Sequence, residues 1–157
     1  MNPFIDLNEL SIGGLSSFEF IPLSHIESFP AVANLKVTES AILLFSGRQW
    51  LKGISQEDAL EYDESSEQSS NGLFYNKSLN GFLPYDKPEI GRHFHNLNFL
   101  PVAIKCVDRN GLRRIFGYQN QPAYFAPSAF KTETRGKTRG YKYSFKAVHT
   151  KPSFYLI

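Results

Sequence analysis

The clearest alternation of apolar and polar positions around a turn lies in residues 100–118, where two β-prone runs flank Asn110-Gly111. An Asn-Gly pair tolerates the positive φ angles that a tight hairpin turn requires. The predicted buried face of this hairpin holds Val102, Ile104 and Cys106 on the first arm and Leu112, Phe116 and Tyr118 on the second. Because a two-stranded ribbon is only marginally stable in water, we expect a larger sheet to grow from it.

Further strands are predicted on both sides of this hairpin. Before it, short strands are predicted over residues 17–21, 35–38, 42–45 and 49–51. A second hairpin is predicted around Asn71-Gly72, with acidic side chains on the solvent face of its first arm and an end at Asn80-Gly81. After the hairpin of residues 100–118, residues 119–127 are predicted to form an edge strand or an ordered loop. Residues 141–148 are predicted to form a strongly alternating strand, and residues 153–157 a final short strand.

One segment has the period of a helix instead. Ile90, Phe94 and Leu97 recur at spacings of four and three residues, and Pro88 suits the first turn of a helix. We therefore predict a single helix over residues 88–97. The expected fold class is mainly β (all-β to α+β), an antiparallel β-sandwich or barrel with one flanking helix, built from an N-terminal arm over residues 1–14 and one β-rich domain over residues 15–157.

Length and composition agree with a single β-rich domain. The chain has 157 residues and is rich in aromatic residues, with 14 Phe, 8 Tyr and 1 Trp, which favours sheet over helix. The single cysteine, Cys106, cannot close an intrachain disulfide and is predicted to be a small buried apolar residue. Neither a membrane-spanning run nor a signal peptide is recognisable, so a cytoplasmic protein is expected unless a larger structure carries it out.

Charge is segregated along the chain, although the net charge is only +2. Residues 53–76 contain six acids and no Lys or Arg, while residues 131–157 contain seven bases and one acid. Opposite charges of this kind can dock copies head to tail, and such a contact closes into a ring or propagates as a tube. An ordinary monomer with two solvated charged segments is the alternative.

Two predicted subunit interfaces follow from this charge segregation. The predicted acidic interface consists of Glu57, Asp58, Glu61, Asp63, Glu64 and Glu67. The predicted basic interface consists of Lys131, Arg135, Lys137, Arg139, Lys142 and Lys146.

Each candidate catalytic or ligand-binding motif in the sequence lacks a residue or a geometry that its chemistry requires. Gly136-Lys137-Thr138 resembles the end of a phosphate-binding loop, but Lys131 stands where that loop needs a glycine. His93 and His95 are two residues apart, so a helix turns them to different sides and no metal site is expected. Cys106 lies on an apolar alternation rather than at a helix start. We therefore expect a protein that is not an enzyme and binds no cofactor.

A nucleic-acid-binding β-barrel is the alternative function, because residues 131–151 interleave Lys with aromatic residues. Single-stranded nucleic acids are bound by such combinations of charge and stacking rings. Alternation, however, turns Lys142 and Lys146 away from Tyr143 and Phe145, so the rings are expected in the core instead.

Several local patterns lie at predicted strand edges and turns. The first is Gly13-Gly14-Leu15 followed by Phe-Glu-Phe-Ile-Pro at residues 18–22 and Ile-Glu-Ser-Phe-Pro at residues 26–30. The others are Asp-Arg-Asn-Gly at residues 108–111 running on to Gly117, and Arg-Gly-Tyr-Lys-Tyr-Ser-Phe at residues 139–145 with Pro152 and Phe154-Tyr155. Together they resemble a family of small structural proteins encoded by tailed bacteriophages and prophages of Bacteroidetes-type hosts.

This resemblance implies a virion component of the tail tube or neck, including tail-completion proteins. Such a protein is typically a β-sandwich or barrel with one flanking helix, and it assembles as a ring of identical subunits. The implied partners are further copies of the chain, with a hexamer left open, and other virion tail or neck proteins. A passive contact with DNA is also left open, no membrane contact is implied, and the implied location is the virion, with the host cytoplasm during assembly.

Overall fold

The computed structural model describes residues 13–132 and 139–157. Within those residues the chain forms twelve β-strands and one α-helix. The strands are β1 (Leu15–Pro22), β2 (Ile26–Ser28), β3 (Lys36–Val37), β4 (Leu43–Leu44), β5 (Leu51–Lys52), β6 (Glu61–Ser69), β7 (Gly72–Leu83), β8 (Pro101–Asp108), β9 (Arg113–Phe116), β10 (Ala123–Thr132), β11 (Arg139–His149) and β12 (Phe154–Leu156). The helix α1 spans Pro88–Leu97, so the predicted mainly β class with one helix is confirmed.

Strand β8 is the point at which the large sheet divides. It pairs antiparallel with β1 along one edge, and on the other edge with β9 and then with β10. The chain passes from β9 to β10 through Gly117, which has a φ of 85° and where a Cβ would lie 2.4 Å from the carbonyl oxygen of Val102. One branch of the sheet then runs β9-β12-β3 and the other runs β10-β11-β7-β6.

Both faces of β8 are buried as a consequence of this division. Val102, Ile104 and Cys106 face a first cluster that also contains Phe18, Phe116, Phe125, Tyr143 and Phe145. Ala103 faces a second cluster built around Ile21, Val37, Ile115, Phe154 and Leu156. Lys105, on the same strand, forms ion pairs with Glu19 at 2.9 Å and Glu39 at 2.8 Å.

Helix α1 covers the first cluster, at the bounds that the 3.6-residue period predicts. Ile90, Phe94 and Leu97 pack against the cluster, and the Phe94 ring centroid lies 5.1 Å from that of Phe125. Pro88 occupies the first turn, where its missing amide hydrogen costs nothing. Within the described residues no helix is long and apolar enough to span a membrane.

The hairpin predicted over residues 100–118 is confirmed, although its loop is longer than an Asn-Gly turn. The Asp108 carboxylate accepts hydrogen bonds from the amides of Asn110 at 2.9 Å and Leu112 at 2.8 Å, and Gly111 has a φ of 82°. The prediction that Leu112, Phe116 and Tyr118 share a buried face is wrong. Leu112 is exposed in the loop, and Gly117 interrupts the alternation, so Tyr118 packs on the second cluster instead of the first.

Two other strand predictions change in the structure. The second hairpin turns at Asn71-Gly72 as predicted, but β7 does not end at Asn80-Gly81. Gly81 remains part of the strand, and its missing side chain leaves room for the ring of Tyr143. The segment predicted as an edge strand or loop becomes β10, an internal strand between β8 and β11. The predicted arm lies outside the described residues up to residue 12, and so does the Gly136-Lys137-Thr138 motif.

Candidate functional site

The branch β10-β11-β7-β6 has one face against the first cluster and one face away from it. We call the second face the outer face. Register and burial assign to it the following residues of β6, β7, β11 and β10: Glu61, Asp63, Ser65, Glu67, Phe74, Asn76, Ser78, Asn80, Phe82, Lys142, Ser144, Lys146, Val148 and Tyr124.

Acids and bases lie in the same cross-strand rows of the outer face. One row runs Asp63, Ser78, Lys146 and Tyr124. Since neighbouring strands are about 4.8 Å apart, the Cα atoms of Asp63 and Lys146 are separated by about 10 Å. In the next row the side-chain amide of Asn80 donates to Glu61 Oε1 at 3.2 Å. The outer face is therefore a polar surface of mixed charge.

The predicted acidic residues divide into three groups in space. Glu61, Asp63 and Glu67 lie on the outer face. Glu57 and Asp58 precede β6 in a single turn of 3-10 helix, Glu57–Ala59. Glu64 lies on the opposite face of β6 and points inward, as Tyr62 does two residues earlier on the same face.

The predicted basic residues also divide. Lys142 and Lys146 lie on the outer face. Arg139 forms an ion pair with Asp86 and lies over the ring of Phe130, 5.7 Å from its centroid. Arg135, Lys137 and the side chain of Lys131 lie outside the described part of the chain.

The fold thus brings together charges that are far apart in the sequence. Strands β6 and β11 both flank β7, so the acidic and basic segments contribute to one surface. The Cα separation of about 10 Å between Asp63 and Lys146 is close to the screening length at physiological salt, about 8 Å, so the two signs partly offset each other within one subunit. Docking of one acidic patch against a separate basic patch remains a prediction.

Glu64 is part of a buried polar cluster that the sequence reasoning missed. Its Oε1 atom accepts a hydrogen bond from the amide of Ser153 at 2.7 Å and lies 3.9 Å from Lys77 Nζ. Lys77 Nζ in turn lies 3.0 Å from His149 Nδ1, and His149 Nε2 lies 3.1 Å from the carbonyl oxygen of Pro122. A carbonyl only accepts, so Nε2 carries the hydrogen and Nδ1 accepts from the ammonium group.

Burial controls protonation in this polar cluster. Burial lowers the pKa of Lys77 to about 8, an effect that the carboxylate of Glu64 opposes. Burial and then the charge of Lys77 lower the pKa of His149 to about 4. At neutral pH the cluster therefore contains a charged lysine and a neutral histidine, and it ties β6, β7 and β11 to the segment before β12.

The sequence carried a signal for this cluster. Lys77 and His149 occupy positions of β7 and β11 that alternate with the buried Leu79 and Ala147. A polar residue at an inward position needs a partner, because an unpaired buried charge is costly. Which residues meet there could not be derived, since Glu64, Lys77, Pro122, His149 and Ser153 come from five separate segments.

Cys106 is buried, as predicted, in the first cluster. Burial raises the pKa of its thiol to about 12, so the thiol stays protonated at neutral pH. A protonated, buried thiol is a poor nucleophile.

An apolar cleft lies between α1 and the sheet. Its volume is about 290 Å³. Its walls include Phe18, Phe20, Leu83, Ile90, Phe94, Leu97, Phe125 and Phe145, and Lys52, Gly53, Ile54 and His93 complete the lining. The walls come from several segments that are distant in sequence, so the cleft leaves no local pattern.

Comparison of the chain with protein-family models, with curated proteins and with solved structures finds no match. What the protein does is therefore inferred from the surfaces described above. Those surfaces are the outer face, the buried polar cluster and the apolar cleft.

Proposed function

We propose that this chain is a non-enzymatic structural subunit of a tailed-phage virion, a tail-tube or neck protein that assembles with copies of itself into rings. Its other partners are neighbouring tail or neck proteins, and its location is the virion, after assembly in the host cytoplasm. The phage resemblance of its turns and strand edges motivates the proposal. The outer face is the observation that carries it.

The outer face offers complementary groups to a second protein surface. Acidic side chains on β6 and basic side chains on β11 flank β7, whose outer side carries Asn76, Ser78 and Asn80, which supply further hydrogen-bond donors and acceptors, between Phe74 and Phe82. Exposed ion pairs contribute only about 0.2 to 1 kcal/mol each, so several must act together. A surface with both signs can supply several in one contact.

The free edge of β6 supports the same proposal. Within the described residues this nine-residue strand pairs only with β7. An unpaired edge can accept a strand from a neighbouring protein. The acids on β6 restrict the partner, because two acidic edges repel each other, so a basic or mixed surface is favoured.

Charge reversal tests the role of the outer face. We expect Lys142→Glu with Lys146→Glu to lower the oligomer mass in sedimentation equilibrium while the circular dichroism spectrum stays unchanged. Adding Glu61→Lys and Asp63→Lys should restore part of the loss, because coupled sites are not additive. Lys36→Glu, an exposed change on β3 at the far end of the sheet, is the control and should have no effect.

Two results would count against the proposal. An oligomer that ignores both the charge reversals and 1 M salt, where the screening length is about 3 Å, would show that the outer face does not mediate assembly. A strict monomer that mass spectrometry also fails to find in purified virions would refute the structural role itself.

Nucleic-acid binding is the second candidate, and one contact favours it. Tyr124 is exposed and pairs across the strands with Lys146, so a ring and a cation are adjacent on the outer face. The carboxylate of Asp63, in the same row, would repel a phosphate backbone, which counts against this candidate. Titration of labelled single-stranded DNA at two salt concentrations separates the candidates, because phosphate contacts predict a steep salt dependence. Absence of binding at low salt would end this alternative.

A further inference from the structure

Phe99 has an unusual place in this fold. Its side chain is 85% exposed, more than any other large hydrophobic side chain in the described residues. Its φ is 65°, in the left-handed region that bulky residues rarely adopt. Such strained positions persist only where the surroundings determine them, and they concentrate at functional sites.

The turn that presents Phe99 is held on both sides. The amide of Asn98 donates to the carbonyl of His95 at 3.3 Å, and the amide of Leu100 donates to the carbonyl of Leu97 at 3.1 Å. Asn98 also forms a bridge with Phe125 of β10. The backbone therefore projects the phenyl ring into solvent from a fixed position between α1 and β8.

The apolar cleft is a suitable receptor for such a ring. Its volume of about 290 Å³ leaves room for a phenyl group, and five of its lining residues are phenylalanines. Rings in the walls already lie at favourable separations, for example 5.5 Å between the centroids of Phe20 and Phe145. Lys52 in the lining can approach the face of an inserted ring as a cation–π partner.

We propose that Phe99 of one copy inserts into the apolar cleft of the next copy. Phe99 is not among the residues lining the cleft of its own chain, and its exposure shows that its ring does not fill that cleft. The side chain of Phe99, which we call the knob, and the apolar cleft are thus formed by different residues of one molecule. Where the insertion is not reciprocated across a two-fold axis, the contact is heterologous, and it repeats from copy to copy and closes into a ring, as the proposed function requires.

This inference rests on the proposed ring-forming function and adds to the outer face a second contact between the subunits. Aromatic side chains that fill well-packed pockets are typical interface hot spots. Truncating it should raise the dissociation constant between subunits by about 30-fold to 1000-fold. Salt should change this contact little, in contrast with a contact made by the outer face.

Two variants test the proposal separately. Phe99→Ala removes the knob and leaves the cleft intact, while Ile54→Arg places a long charged side chain in the lining of the cleft and leaves the knob intact. Ile54 is an exposed residue, so this change should leave the fold unaltered, as thermal unfolding can verify. Phe45→Ala is the matched control, because Phe45 is 50% exposed and outside the cleft lining.

We expect sedimentation equilibrium to show each test variant alone as a monomer and the control as a normal oligomer. A mixture of Phe99→Ala and Ile54→Arg should form one-to-one heterodimers and nothing larger, because each mixed pair retains a single competent knob and cleft. Phe99→Ala that assembles like Phe45→Ala, or a mixture that stays monomeric, would overturn the proposal.

The same experiment keeps the two proposals apart. If Phe99→Ala assembles normally while the outer-face charge reversals dissociate the oligomer, the knob contact is refuted and the structural role stands. If the wild-type chain is a monomer at every concentration and is absent from virions, both are refuted.

Discussion

Acid should destabilise this protein through His149. The ring is 1% exposed, and its Nδ1 atom accepts a hydrogen bond from the Lys77 ammonium group at 3.0 Å. Protonation of Nδ1 would remove that acceptor and place a second buried cation beside the first. This is the physical reason that burial and the neighbouring charge lower the pKa of His149 to about 4.

The size and sign of the effect follow from the difference between the two states. The ordinary pKa of histidine is 6.5, so between pH 6.5 and pH 4 the unfolded chain binds more protons than the folded protein. Stability from this group is complete above pH 6.5 and is lost as the pH falls toward 4. At about 1.36 kcal/mol per pKa unit the loss is about 3 kcal/mol, or about 6 to 12 °C in Tm for a chain of this length.

Urea unfolding followed by circular dichroism from pH 3.5 to 8 measures this loss. Glutamine does not titrate, so His149→Gln should lack the histidine contribution, and carboxylates that titrate in the same range cancel in the difference between the two proteins. The stability difference between wild type and His149→Gln should shrink by about 3 kcal/mol between pH 7 and pH 4. His95→Gln, at an exposed position of α1, should follow the wild type. Parallel profiles for wild type and His149→Gln would refute the reasoning.

Three further predictions concern stability and reactivity. Gly81→Ala should lower the unfolding free energy by about 1 to 3 kcal/mol in urea titrations, because a Cβ there would lie 2.4 Å from the Tyr143 ring, whereas Gly13→Ala meets nothing within 4 Å and should be neutral. Lys105→Met should cost about 1 kcal/mol by the same assay, since it removes the cation 2.9 Å from the half-exposed Glu19 carboxylate, while Glu39 keeps its ion pair with Arg113. Cys106 should react with a disulfide reagent only after urea unfolding, because burial raises the pKa of its thiol to about 12; rapid reaction in the native protein would contradict its burial.

Local sequence patterns determined the type of most elements. The helical period of Ile90, Phe94 and Leu97 places α1 at its observed bounds, and the alternation over residues 141–148 correctly separates the inward and outward side chains of β11. Both Asn-Gly hairpins form for the same reason, since turn chemistry acts over a few residues. A period of two or 3.6 residues is a property of the chain itself, so it can be recognised without knowing its neighbours.

Tertiary structure alone decided which elements meet. The assignment of Tyr118 to the second cluster depends on Gly117, whose conformation follows from the close approach of β8. The buried contact between Lys77 and His149, the apolar cleft under α1 and the mixed charge of the outer face depend on strands that are distant in sequence. Charge segregation along the chain could not predict segregation in space, because the order of strands in a sheet is set by long-range pairing and by how both faces of β8 are buried.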